Sequence, residues 1–270
     1  MNRKNMNSIL SILSEYTTTE GPVVIAGPCS AESREQTLMT ARELSDAGIG
    51  IFRAGVWKPR TRPGGFEGRG EEALEWLREV KETTGMATST EIGSAAHVEP
   101  ALRAGIDILW IGARTAASPF AVQEIADALR GTDRAVFVKN PVCADLELWS
   151  GDMERLMDAG IRNIGMIHRG FKTYGEKRYR NTPLWDLADE MRRRFPGMPM
   201  FCDPSHMGGT RGLVEPLSAR AIESGYDGLL IESHICPARA LTDASQQITP
   251  AEVGGLAARL TRAAGVLAPV

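Results

Sequence analysis

Residues 23–55 read VVIAGPCSAESREQTLMTARELSDAGIGIFRAG: a β-rich run (VVIAG, 23–27), a helical stretch over 33–47, a glycine at 48 and a second β-rich run (GIFRAG, 50–55). The unit then repeats. Further β-rich runs stand at MATST (86–90), ILWIG (108–112), AVFVK (135–139), NIGMI (163–167), PMFCD (199–203) and GLLIE (228–232), eight in all. Helical patterns follow them over 71–83, 95–104, 118–130, 149–159, 184–195, 212–224 and 250–264. Ser33, Ser94 and Ser118, the last followed by Pro119, have the chemistry of helix N-caps. Gly48, Gly105, Gly160 and Gly225 stand where a left-handed cap turns the chain back into the next strand. Eight alternations predict an α/β fold of the (β/α)8 TIM barrel type. The competing open, doubly wound sheet lacks its GxGxxG after the first strand.

A chain of 270 residues with 43% hydrophobic content can bury one large core. We expect one catalytic barrel over 21–270 behind a short N-terminal helical extension, 1–20. Within that extension Met6, Ile9, Leu10 and Leu13 form an i, i+3, i+4, i+7 stripe, which either plugs the bottom of the barrel or contacts another subunit. The net charge of −3 exerts no general pull on nucleic acid or an anionic membrane. No apolar run approaches the roughly 18 residues of a membrane span, and ILSIL is too short, and too soon followed by Glu15, for a signal peptide. The expected location is the cytoplasm. Four cysteines without CxxC spacing suggest reduced thiols; Cys143, Cys202 and Cys236 default to small buried hydrophobes.

In such a barrel the chemistry collects at the C-terminal ends of the strands. Those positions hold Cys29, Arg53, Lys58, Arg114, Lys139, His168, Arg169, His206 and Glu232, with Asp243 in the last loop. Cys29, His206, Glu232 and Asp243 offer a thiolate, an imidazole and two carboxylates, a donor set that suits Mn²⁺, Fe²⁺, Co²⁺ or Zn²⁺. The same four also read as a small buried thiol, a helix-capping imidazole and two solvated acids. Six cations, Arg53, Lys58, Arg60, Arg114, Lys139 and Arg169, come from separate loops to one mouth, and their mutual repulsion calls for anions there. Counting a divalent ion with Cys29, Glu232 and Asp243 as about −1, the site wants close to five negative charges, the amount two phosphorylated substrates with one carboxylate supply.

The strings AGPCS (26–30), FRAGVWKPRT (52–61), IGART (111–115), VKNP (138–141), HRG (168–170), DPSH (203–206) and IESH (231–234) follow one another in the order of a known family. From about Val23 to Thr249 the chain resembles the 3-deoxy-D-arabino-heptulosonate 7-phosphate (DAHP) synthases. The resemblance is to the type I-beta group, including catalytic domains fused to chorismate mutase. It implies condensation of phosphoenolpyruvate with erythrose 4-phosphate, releasing phosphate, as the first step toward chorismate and the aromatic amino acids. By motif it places the metal ligands on Cys29, His206, Glu232 and Asp243. Arg53, Lys58, Arg114, Lys139 and Arg169 would hold phosphoenolpyruvate, with Arg114 and Arg169 on its phosphate, and Arg60 and Thr61 would face erythrose 4-phosphate. Lys58 is the candidate for proton transfer to the aldehyde oxygen, and His168 is a second acid–base candidate whose alternative role is a structural hydrogen bond. The resemblance also implies a homo-oligomer, dimer or tetramer, and relatives that carry a chorismate mutase domain or partner.

After KPRT, the string RPGGFEG (62–68) replaces a segment that in the family usually carries Ser and Tyr, which bears on how the aldose phosphate is gripped. The loop 169–183, with Lys172, Lys177, Arg178 and Arg180, either covers the site or is a solvated basic loop. A sister enzyme, 3-deoxy-D-manno-octulosonate 8-phosphate synthase, takes arabinose 5-phosphate; KPRT speaks against it, because that relative typically has an Asn-Arg element there. A non-catalytic barrel that regulates a chorismate mutase partner is the remaining alternative. With no added sensor domain in view, activity is expected to be insensitive to Phe, Tyr and Trp.

Overall fold

The computed structural model of the protein describes residues 8–17, 21–58 and 63–267. Eight parallel strands close into a barrel in the order β1 (Val23–Gly27), β2 (Ile51–Arg53), β3 (Ala87–Ile92), β4 (Ile108–Ile111), β5 (Ala135–Lys139), β6 (Ile164–His168), β7 (Met200–Cys202) and β8 (Gly228–Glu232). The final pairing of β1 with β8 runs from Val23 opposite Gly228 to Gly27 opposite Glu232 and leaves no edge. An open doubly wound sheet is thereby excluded.

Around the strands lie α2 (Arg34–Asp46), α3 (Glu71–Thr84), α4 (Val98–Arg103), α5 (Pro119–Ala128), α6 (Leu146–Asp158), α7 (Trp185–Arg194), α9 (Arg211–Glu223) and α10 (Pro250–Leu267). Two further helices, α1 (Ser8–Ser14) and α8 (Pro204–Gly208), lie outside the repeating alternation. Ser33 and Ser118 cap their helices, accepting from the backbone N–H of Gln36 and Ala121, whereas Ser94 begins a short 3₁₀ turn without a side-chain cap bond. Gly48, Gly105, Gly160 and Gly225 all take left-handed φ, between 76° and 86°, as helix-ending glycines do.

Strand parity divides the core in two. Val23, Ile25, Ile51, Ala87, Ile108, Trp110, Phe137, Ile167, Phe201 and Leu230 fill the barrel interior, while Phe52, Leu109, Val138, Ile164, Met166, Cys202 and Ile231 pack against the helices. The interior cluster also contains Ile9 and Leu13 from α1, which close the N-terminal end of the barrel. Met6 of the same stripe lies outside the described residues. No helix among the described residues is long and apolar enough to cross a membrane.

Three expectations are corrected. Helix α6 begins at Leu146 rather than 149 because Asp145 caps it, accepting from the N–H groups of Glu147 and Leu148 at 3.0 and 3.1 Å. Helix α8 occupies Pro204–Gly208, where no helical pattern is read between the β-rich run at 199–203 and the helix over 212–224. Of the three cysteines taken for buried hydrophobes, only Cys202 is buried; Cys143 and Cys236 are exposed.

Candidate active site

The register brings Gly27 beside Glu232, so Cys29, two residues past β1, arrives next to the end of β8. Ligand atoms of Cys29, Glu232 and Asp243 all lie within 4.8 Å of one another. Asp243 takes a left-handed backbone, φ 49°, a conformation uncommon outside glycine and tolerated best by Asn and Asp. Its neighbour Thr242 is held from both sides, by Ser30 Oγ at 2.7 Å and by Gln247 Nε2 donating to the Thr242 carbonyl at 2.7 Å.

His206 joins this group through α8. Asp203 caps that helix by accepting from the His206 N–H at 3.0 Å, and its other oxygen accepts from His206 Nδ1 at 2.8 Å. The proton therefore sits on Nδ1, and Nε2 presents its lone pair 3.6 Å from Glu232 Oε1 and 3.8 Å from Asp243 Oδ2. Burial lowers the His206 pKa against the pull of Asp203 and Glu232 and keeps the ring neutral. Burial, with the charges of Glu232 and Asp243, pushes the Cys29 thiol up to about 12. Glu232 Oε1 is buried without a hydrogen-bond partner. The two carboxylates stand within reach of the thiol on one side and of the neutral imidazole on the other, although the imidazole lies outside the tight group of Cys29, Glu232 and Asp243. With one of their oxygens unsatisfied, these donors fit a divalent cation, whose charge would favour the thiolate.

Cations border the cluster. Lys58 Nζ is 3.2 Å from Cys29 Sγ and donates to the Cys29 carbonyl at 3.1 Å. Arg53, buried, stands 3.5 Å from Glu232 Oε1 and 5.0 Å over the Trp110 ring, and its Nε and Nη1 have no hydrogen-bond partner. Lys139 pairs with Asp203 Oδ2 at 2.7 Å. Arg169 is buried, and burial, opposed by Asp203 but reinforced by the nearby charges of Arg180 and Arg114, lowers its pKa to about 10. Crowded cations, with two unpartnered buried donors on Arg53, suit a doubly charged oxyanion.

The loop after β2 places Lys58. Trp57 bridges antiparallel to Gly68, and the Lys58 N–H donates to the Glu67 carbonyl at 2.9 Å. Gly68 has φ 98°, and a Cβ there would lie 2.1 Å from the Val56 carbonyl, so the RPGGFEG string ends on a position that only glycine fills easily. Trp57 stacks on His97 at 4.0 Å. Arg60, Thr61 and Arg62 lie outside the described residues.

His168 is not brought to this mouth. Its side chain follows the parity of Ile164 and Met166 and faces the helices, inside a cage of Trp149, Phe171, Trp185 and Tyr226. The ring bonds the Pro183 carbonyl through Nε2 and the Tyr226 hydroxyl through Nδ1 at 2.8 Å. Burial lowers its pKa to about 3, so it is a neutral structural residue, not an acid–base group of the rim.

Four polar residues enter unforeseen. Glu91 accepts from Trp110 Nε1 at 3.1 Å, and the charges of Lys58 and Lys139 hold its carboxyl low against burial. Asp203 ties His206 to Lys139. Gln246 and Gln247, both buried, bond Glu232 Oε2 and the Cys29 N–H at 2.7 and 3.1 Å. In the loop 169–183, Lys172, Lys177, Arg178 and Arg180 are all exposed, yet Arg180 reaches inward to Asp243 Oδ1 at 2.9 Å. Six described cations thus meet four carboxylates rather than two. With a divalent ion and a thiolate added, the local demand falls from about five negative charges to about three.

The DAHP synthetase I family model matches residues 15–264. A phospho-2-dehydro-3-deoxyheptonate aldolase of Thermotoga maritima is 38% identical over 225 residues, which cover 83% of this chain and 64% of that one. The chain thus spans somewhat under two thirds of that relative's length. A 2-dehydro-3-deoxyphosphooctonate aldolase of Trichlorobacter lovleyi is 33% identical over 260 residues, covering 88% of this chain and 90% of the other. Among solved structures, the crystal structure of the Thermotoga maritima DAHP synthase superposes with a TM-score of 0.82 at 34% identity, covering 91% of this chain and 70% of that one. A truncated form of 3-deoxy-D-arabino-heptulosonate 7-phosphate synthase from the same organism gives 0.79 at 31% identity, covering 91% and 87%.

Proposed function

The chain belongs to the DAHP synthetase I family, and from that premise we propose that it condenses phosphoenolpyruvate with erythrose 4-phosphate and water to give 3-deoxy-D-arabino-heptulosonate 7-phosphate and inorganic phosphate. The observation that carries the reading is the convergence of Cys29, Glu232 and Asp243 within 4.8 Å, with the Lys58 ammonium 3.2 Å from the thiol.

A divalent ion on Cys29, His206, Glu232 and Asp243, one of Mn²⁺, Fe²⁺, Co²⁺ or Zn²⁺, would supply Lewis acidity toward the aldehyde. Arg53, Lys139 and Arg169, with Arg114, bind phosphoenolpyruvate, whose carboxylate and phosphate bring about three negative charges to a mouth that lacks about three. Its methylene carbon forms the new bond to the aldehyde carbon, and Lys58 gives the aldehyde oxygen a proton. The cationic centre left at C2 takes a water, whose first proton makes good the one given by Lys58. The C2–O bond to the phosphate then breaks as the new C2 hydroxyl gives its proton to the departing phosphate, leaving the ketone. By the family motif, Arg60 and Thr61 serve the erythrose 4-phosphate side of the reaction. A cytoplasmic homo-oligomer, with a chorismate mutase domain or partner in some relatives, belongs to the same reading; sizing the purified chain alone and with a mutase tests it.

A second reading has its own support, because relatives of the octonate-forming name match along most of their length. It differs only in the aldose, arabinose 5-phosphate, and KPRT (58–61) favours the four-carbon substrate. Phosphoenolpyruvate consumption by chelator-stripped protein, with either aldose phosphate, before and after Mn²⁺ is restored, decides between them. Metal-dependent turnover with erythrose 4-phosphate alone is expected. Turnover with arabinose 5-phosphate selects the rival, and turnover with neither returns the chain to the regulatory barrel.

A further inference from the structure

Arg180 touches both carboxylates of the ligand cluster, one directly and one through an amide. Its Nη1 donates to Asp243 Oδ1 at 2.9 Å and to Gln246 Oε1 at 2.6 Å. Gln246 Nε2 then donates to Glu232 Oε2 at 2.7 Å. A guanidinium only donates and a carboxylate only accepts, so the amide has a single orientation that satisfies both neighbours. In each carboxylate one oxygen is thereby engaged, and the other faces the cluster: Asp243 Oδ2, 3.5 Å from Cys29 Sγ, and Glu232 Oε1, buried without a hydrogen-bond partner and 3.6 Å from His206 Nε2.

We propose that Gln246 is a positioning residue that presents Glu232 to the metal through Oε1 alone, with Arg180 as the anchor that fixes the amide and orients Asp243 at the same time. The proposal rests on reading Cys29, His206, Glu232 and Asp243 as the ligands. A neutral amide suits the task because it engages Oε2 without adding charge to a cluster that already holds Glu91, Asp203, Glu232 and Asp243. Without it, Glu232 is free to turn both oxygens to the ion or to swing onto Arg53, whose Nη2 is 3.5 Å from Oε1. Arg180 belongs to the loop that begins at Arg169, so the phosphate-binding edge and the ligand cluster share one strap.

The test is a Co²⁺ titration of chelator-stripped protein, following the near-ultraviolet thiolate-to-cobalt band and the visible bands that report coordination number. Gln246→Met keeps side-chain length and removes both hydrogen bonds. Its Co²⁺ affinity is expected to fall about 10- to 100-fold, with the thiolate band retained at saturation and the visible bands altered. Arg180→Met, on an exposed loop, removes the anchor without disturbing the core and is expected to weaken Co²⁺ in the same direction. Affinity within about twofold of the parent and unchanged spectra in both variants would overturn the proposal while leaving the metal site standing. If the parent chain gives no thiolate band that Cys29→Ser abolishes, the metal reading itself fails, and the proposal with it.

Discussion

Lys58 keeps its proton at neutral pH although burial works against the charge, because its neighbours raise its pKa: Cys29 when it is ionised, and the carboxylates of Glu91 and Glu232. It is therefore an acid in waiting rather than a base. Lys58→Met is expected to lower kcat by about 10²–10⁴, the usual contribution of a placed proton donor, while the cobalt–thiolate band survives; a loss under tenfold in steady-state assays would remove Lys58 from that role. His168 behaves in the opposite way. Its pKa is about 3 in the fold against 6.5 as a free side chain, so on acidification the unfolded chain takes up a proton that the folded chain does not. Stability then falls as pH drops below 6.5, by at most about 1.4 kcal/mol per pH unit. Urea unfolding across that range should show a shallower acid limb in His168→Phe than in the parent, and equal slopes would show that the ring is not buried neutral. In the sequence both belong to the C-terminal rim of the barrel, Lys58 in the loop after β2 and His168 as the last residue of β6, and position alone ranks them together. Parity removes His168: Arg53, Lys139 and Glu232 continue the inward alternation of Ile51, Phe137 and Leu230, whereas His168 continues the outward one of Ile164 and Met166. The same rule finds Asp203, one step past the inward Phe201 and outward Cys202, so its place was legible in the sequence.

Helix α1 is seven residues long, too short to hold its shape alone, and persists because Ile9 and Leu13 enter the barrel interior. Leu13→Ala is expected to cost about 2–5 kcal/mol, seen as a lower urea midpoint with little change in KM at temperatures where the variant is folded. A loss under about 1 kcal/mol would mean that the barrel end closes without it. The stripe of Ile9, Leu10 and Leu13 is plain in the sequence, but a stripe does not say what it covers, and only the interior cluster decides between plug and subunit contact. Eight strands and the helix-ending glycines were legible because hydrophobic runs and left-handed caps are local. Helix α8 was not: its five residues, Pro204–Gly208, are too few to show a period. Their capping signal, Asp203 before a proline, hides inside the motif that carries His206. Gln246 and Gln247 escaped for a related reason, since a glutamine at a ligand's back is defined by its contacts and has no spacing of its own.

The chain carries a net charge of −3 and yet gathers Arg53, Lys58, Arg114, Lys139, Arg169 and Arg180 about one mouth. Four carboxylates, two of them outside the first reading of the sequence, lower that concentration of charge without cancelling it. The residue types alone suggested a site that needs both phosphorylated substrates at once; the described cations and carboxylates instead leave an excess of about two positive charges, about three once a divalent ion and a thiolate are added, close to what phosphoenolpyruvate alone brings. The consequence is an order of binding. Phosphoenolpyruvate should stabilise the metal-free protein by itself, because it relieves repulsion among Arg53, Lys139 and Arg169 and occupies the two unpartnered Arg53 donors. Erythrose 4-phosphate should do little until phosphoenolpyruvate is present. At about 100 times its dissociation constant a ligand that binds only the folded state adds about 2.7 kcal/mol, which for a barrel of this size is a rise in Tm of roughly 5–10 °C. Thermal scans with each substrate alone check this. Because the attraction is electrostatic, the shift at a fixed subsaturating concentration of phosphoenolpyruvate should shrink as salt rises. A larger shift with erythrose 4-phosphate alone would place the unsatisfied charge at the aldose end of the mouth and reverse the order.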